Sequence, residues 1–148
     1  YLVSTMYGMG RAAAERMMVQ MAMELEDYPV SILTLWPGVV RTEVMGTAIE
    51  QNPELLRQIL TGTWANIPGA MDDLAKLPGA EVLRVTESQV FTGRAVAALA
   101  ADPGVKVKSG KVFSVAGLAK EYGFTDIDGT IPDGLRLLDV DAWPPLRS

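Results

Sequence analysis

Three neighbouring features decide the reading of this chain: the stretch Tyr7-Gly8-Met9-Gly10-Arg11, the helical segment it opens, and the run Val30-Ser31-Ile32-Leu33-Thr34-Leu35-Trp36 that stops at Pro37-Gly38. A tyrosine and a cation four positions apart lie on one helix face, about one turn from each other. Such a pair suits a phenol that gives or takes a proton, because a neighbouring positive charge favours the ionised form. The same spacing also describes a helix start with an interfacial tyrosine and a solvated arginine, the commoner occurrence of this pattern. Gly8 and Gly10 each cost a helix about 1 kcal/mol relative to Ala. Close approach of a ligand or of neighbouring backbone would account for them.

From Thr5 to Asp27 the pattern is helical. Ala14, Met17, Met18, Met21 and Leu25 recur at three- and four-residue steps and predict one apolar stripe, facing the core or another subunit. Tyr28-Pro29 ends the helix. The β-branched run that follows fits a strand buried on both faces, as in a parallel sheet covered by helices. Helix then strand is the second half of a βαβ unit. Beyond Pro37-Gly38 comes Val39-Val40-Arg41-Thr42-Glu43. Open α/β sheets bind ligands beyond the carboxyl ends of their strands, so this segment reads equally as a ligand-holding turn and as an ordinary strand-to-helix connection.

Further on, Asn52-Pro53-Glu54 starts a short helix, with Asn as N-cap and Pro in the first turn. Residues 63–85 read as a long irregular connection. Thr86-Glu87-Ser88-Gln89 offers N-caps for a helix to Ala101, with a capping box from Thr86 to Gln89 and Val90, Phe91, Ala95, Val96, Ala98 and Leu99 as its apolar set. Asp102-Pro103-Gly104 breaks it. Lys111-Val112-Phe113-Ser114-Val115 predicts a second buried strand after the Ser109-Gly110 turn, and Ala116 to Tyr122 a short helix closed by Gly123. Asp126, Asp128 and Asp133 lack calcium-loop spacing and read as a solvated tail. Trp143-Pro144-Pro145 reads as a terminal clip.

Composition narrows the chemistry. The 148 residues contain 49% apolar and 21% charged residues and carry a formal net charge of −5. That describes a globular chain of at most one domain. The acidic balance argues against nucleic acid or an anionic membrane as partner. There is no cysteine and no histidine, which excludes disulfides, thiol nucleophiles, Ser-His-Asp chemistry and most transition-metal sites, so no metal is expected. No apolar run approaches the length of a membrane span. The sequence begins at Tyr1 without an initiator Met and with its first strong element close behind. It therefore reads as a fragment, the back part of a longer chain.

The order of these features resembles the C-terminal half of a short-chain dehydrogenase/reductase. Its components are the helix with Tyr7-x-x-x-Arg11, the strand, Pro37-Gly38-x-x-x-Thr42, a variable segment, the helix holding Gly93-Arg94-Ala95-Val96-Ala97-Ala98-Leu99-Ala100, and the Gly110-Lys111-Val112 strand. The likeness runs from about residue 1 to residue 135. It implies an α/β fold in which residues 1–148 form the C-terminal part of a Rossmann-type doubly wound parallel sheet, without its N-terminal strands and Gly-rich turn. Residues 63–85 would then be a substrate-loop region.

The resemblance further implies an NAD(P)-dependent oxidoreductase interconverting a carbonyl and an alcohol on a small molecule, cytoplasmic and homo-oligomeric, with the long first helix in the subunit interface. Tyr7 would be the general acid/base. Arg11 stands where the family has a lysine that supports the tyrosine and binds the nicotinamide ribose of NAD or NADP. Pro37, Gly38, Val40 and Thr42 would contact the nicotinamide end. Two departures stand out. Arg is not interchangeable with a compact ammonium, and neither the family's phosphate-binding turn nor its catalytic serine, expected about a dozen residues before Tyr7, lies in the sequence. A non-catalytic remnant that binds a protein partner, or one member of an obligate complex, is the competing reading.

Overall fold

Phe91, Ala95 and Leu99 recur every fourth residue, and that spacing turns all three to one side of a helix where they are buried. The computed structural model describes residues 5–43 and 86–132. The expected helix near Asn52, the 63–85 connection and the Trp143 clip lie outside the described residues. Within them, α1 spans Thr5–Glu24, β1 Thr34–Trp36, β2 Val39–Val40, β3 Thr86–Glu87, α2 Gln89–Ala101, β4 Val112–Ser114 and α3 Val115–Tyr122, with a 3-10 turn at Val105–Lys108 between α2 and β4. The result is mixed α/β with small parallel sheets: β1 pairs with β4 and β2 with β3. No described helix is long and apolar enough to cross a membrane.

The inward phase of α1 differs from the expected stripe. Met18 is buried and Glu15, Val19, Ala22 and Leu25 are half-buried, whereas Ala14, Met17 and Met21 are exposed. The inner row 15–18–22–25 keeps helical steps but includes a carboxylate. Glu15 sits there because the indole Nε1 of Trp36 donates to its Oε1 at 2.7 Å. A charged residue in the apolar row hid the true phase. Past the helix end, Lys106 Nζ donates to the carbonyls of Leu25, Tyr28 and Val30 at 3.0, 2.8 and 2.9 Å. The Leu25 and Tyr28 carbonyls also accept from the amides of Tyr28 and Val30, and a cation suits the negative end of the helix dipole.

The strand expected over residues 30–36 is three residues long and half-buried rather than buried on both faces. Its register with β4 is Thr34↔Val112, Leu35↔Phe113 and Trp36↔Ser114. Before Thr34 the regular ladder gives way, because the amide of Ile32 donates to the Ser109 hydroxyl at 3.1 Å. β4 is likewise half-buried, with Val112 exposed. After Pro37-Gly38 the chain resumes as a strand: Val39 and Val40 pair with Thr86 and Glu87. Thr86 is thus a strand residue, not the cap of α2. The cap is Ser88, whose hydroxyl accepts from the Phe91 amide.

β4 passes into α3 with no intervening loop. Ser114 keeps extended dihedrals and caps α3 by accepting from the Gly117 amide at 3.0 Å. A Cβ at position 117 would lie 2.8 Å from that hydroxyl, so glycine is what lets this cap close. Gly123, at φ +74°, ends α3 in the left-handed conformation that favours glycine. Val115, Leu118 and Ala119 of α3 pack on Phe91, Ala95 and Leu99 of α2 to form the core, with Leu33, Leu35 and Phe113 of the sheet region and Phe124 against it. The rings of Phe91 and Phe124 meet edge to face, centroids 5.4 Å apart.

Leu118 has no solvent exposure at the centre of this core. Leu118→Ala is expected to lower unfolding free energy by about 2–5 kcal/mol. Urea titration should show a lower midpoint with an unchanged m value; an unchanged midpoint would place the core elsewhere.

Candidate active site

Tyr7 and Arg11 meet as their spacing on α1 allows. Arg11 Nε and Nη2 donate to the phenol oxygen at 3.1 and 3.0 Å. The guanidinium carbon lies 5.1 Å from the tyrosine ring centroid. Two donors of one planar fork on one oxygen fix its position more closely than a single ammonium would. Tyr7 is 43% exposed, so its hydroxyl can be reached from solvent. A Cβ at Gly10 would meet nothing within 4 Å, so no described neighbour requires glycine at that position.

The remaining candidates sit on the far side of β1. Trp36, the last residue of β1, hydrogen-bonds Glu15, eight positions along α1 from Tyr7, about 12 Å of helix rise. Pro37 then contributes no amide donor. The Gly38 amide donates to Glu87 Oε2 at 2.9 Å. Val40 lies beside Glu87 in the β2–β3 ladder. Its carbonyl accepts from the Thr42 amide at 2.9 Å, a tight three-residue turn. The Arg41 amide donates to the Glu87 carbonyl at 2.8 Å. Pro37, Gly38, Val40 and Thr42 therefore form one short segment held against β3.

Behind that segment lies a buried polar cluster that sequence reasoning missed. Glu87 is 1% exposed, and its second oxygen accepts from the Thr92 hydroxyl at 3.0 Å. Asp126, expected in a solvated tail, is also 1% exposed. Its carboxylate accepts from the amides of Ser88 at 2.8 Å and Ile127 at 2.7 Å and from the Ser88 hydroxyl. Arg41 Nη2 stands 3.5 Å from Asp126 Oδ2, while its Nη1 donates to the carbonyl and hydroxyl of Thr86 at 3.1 and 3.2 Å. Arg94 secures the same loop by donating to the carbonyls of Thr125 and Asp126. No local pattern announces this cluster, because its partners are far apart in sequence. Among the described residues, no group of three potential metal ligands comes together.

Comparison with known proteins gives this chain relatives. The chain is 31% identical over 141 residues to human dehydrogenase/reductase SDR family member 1, across 95% of its own length. Over nearly its whole length the chain is similar to part of a short-chain dehydrogenase/reductase. The mouse protein of the same name is 35% identical over 131 residues. The chain spans 40% of the human relative's length and 36% of the mouse relative's. No protein-family model matches it.

Burial pushes the Glu87 carboxyl above its ordinary value and the nearby Asp126 adds to this, against the opposing Gly38 amide, Thr92 hydroxyl and Arg41. A carboxyl raised in the folded state binds protons better there than in the unfolded chain. It therefore weakens the fold as pH climbs from the unfolded value, near 4.5, through the raised one. Glu87→Gln lacks this titration. Its Tm relative to the unsubstituted chain should rise across that window in thermal melts from about pH 4 to about pH 8; a difference independent of pH would contradict it.

Proposed function

We propose that the protein carrying this sequence is an NAD(P)-dependent oxidoreductase that interconverts a carbonyl and an alcohol. In this reading Tyr7 handles the proton and the Pro37–Thr42 segment holds the nicotinamide end of the cofactor. The observation that carries the reading is the Arg11 fork on the Tyr7 oxygen, in a chain similar to part of a short-chain dehydrogenase/reductase. The finer fold assignment, a doubly wound Rossmann-type sheet, belongs to the same proposal. It is supported by the parallel pairing, and by β1 having β4 as its one strand neighbour among the described residues, which leaves an edge for a further strand.

The donor set suits the nicotinamide-ribose half of a dinucleotide. A phenol hydroxyl and a guanidinium match ribose hydroxyls, and a half-buried backbone segment matches a carboxamide. Nothing in the sequence matches the pyrophosphate half, which needs a Gly-rich turn and a helix N-terminus. When bound, the nicotinamide supplies or accepts the hydride. Tyr7 gives its phenol proton to the substrate oxygen in reduction and recovers it in oxidation. Arg11 holds that phenol oxygen in place and offers its remaining N–H groups to the ribose. Pro37, Gly38, Val40 and Thr42 orient the ring end. Proton transfer by a positioned group contributes about 10²–10⁴ in rate.

Fluorescence titration of NADH and NADPH tests the binding half, with saturable enhancement expected for one of them. Tyr7→Phe should keep that binding and lose about 10²–10⁴ in turnover. Arg11→Lys should raise turnover, because it restores the family's ammonium; an unchanged rate would remove Arg11 from the mechanism. A second reading has its own observation. Met6, Met9, Met17 and Met23 of α1 are each more than half exposed, a flexible apolar face that suits a protein partner or a second protomer. A folded chain that binds neither dinucleotide would favour that non-catalytic role.

A further inference from the structure

We propose that Glu87 is a positioning residue for the cofactor-contact segment: one buried side chain and its own carbonyl bracket the turn from Gly38 to Arg41. The proposal rests on the oxidoreductase reading given above and goes beyond it to a residue outside the family motif. Its basis is geometric. Glu87 Oε2 accepts from the Gly38 amide at 2.9 Å, before β2, and the Glu87 carbonyl accepts from the Arg41 amide at 2.8 Å, after it. Between those two points Val40 lies directly across the ladder from Glu87. The span expected to meet the nicotinamide thus hangs from a single residue at both ends.

The carboxylate is itself held. Thr92, in the first turn of α2, donates to Oε1 at 3.0 Å. Ser88 caps that helix and is pinned through its amide to Asp126 at 2.8 Å. Rigid supports of this kind hold a contact backbone at fixed distance from a ligand. A misplaced contact segment weakens cofactor binding without disturbing the distant core. Glu87→Gln keeps an oxygen that can accept from the Gly38 amide, and its amide group can donate to the Thr92 hydroxyl, which accepts as readily as it donates. Glu87→Ala removes the acceptor altogether.

The test uses the full chain, with two readouts. Hydrogen exchange is followed in the peptide containing Gly38, and the Kd for NADH or NADPH is measured by fluorescence, with turnover alongside. Glu87→Ala should speed Gly38 exchange and weaken dinucleotide Kd by about tenfold each, as expected for loss of a buried charge-assisted hydrogen bond. Exchange in α3 should stay unchanged. Glu87→Gln should restore both values to within about threefold. Thr92→Val, which frees one carboxylate oxygen while leaving the Gly38 bond possible, should shift both readouts in the same direction by less, and it carries the test where Glu87→Ala does not fold. Dinucleotide binding that is equal in all variants overturns the Glu87 proposal and leaves the oxidoreductase reading standing. So does a Gln variant as impaired as Ala. Failure of the unsubstituted chain to bind either dinucleotide overturns both, whatever the exchange shows.

Discussion

A carboxylate withdrawn from water costs several kcal/mol unless its lone pairs are met, and the Asp126 side chain has no solvent exposure at all. What meets it determines how the described parts of the chain are joined. The amide and hydroxyl of Ser88 come from the start of α2, the Ile127 amide from its own loop, and Arg41 from the segment after the Pro-Gly stop. The loop after α3 is thereby fastened to the junction of β3 and α2, and that junction to the residues after β1. An apolar contact at this place would bring the same elements together without setting their register. A carboxylate with four directed partners sets it, because each partner must arrive at a particular angle and distance.

The parts of the fold legible in the sequence are those whose signals are local. Thr5–Glu24, Gln89–Ala101 and Val115–Tyr122 each show helical periodicity with stops at Pro or Gly, and the Tyr7–Arg11 pair lies within one turn. What could not be read depends on distant partners. Glu87 looks like part of a helix start until its acceptor role toward Gly38, 49 residues away, is known. Asp126 looks like part of a solvated tail until Ser88 is placed beside it. The β2–β3 pairing joins two two-residue strands, too short to carry an alternating pattern. The phase of α1 is hidden for a related reason: Glu15 belongs to the inner row only because Trp36 meets it there.

The consequence for the site is a division of labour between apolar and polar contacts. The core between α2 and α3 stabilises the C-terminal half of the described chain, but neither Tyr7 nor Gly38 belongs to it. The relation between the tyrosine and the Pro-Gly segment is set instead by two tethers, two residues apart at one strand end. The Trp36 side chain reaches back to α1 through Glu15, and the Gly38 amide reaches across to Glu87. Pro37 stands between them with no amide to donate and with φ fixed by its ring, so this corner has little freedom to trade one tether for the other. A polar change at Glu15 or Glu87 should therefore move the candidate site more than an apolar change of equal thermodynamic cost in the core, because the first alters where the site's backbone sits and the second alters only how much of the chain is folded.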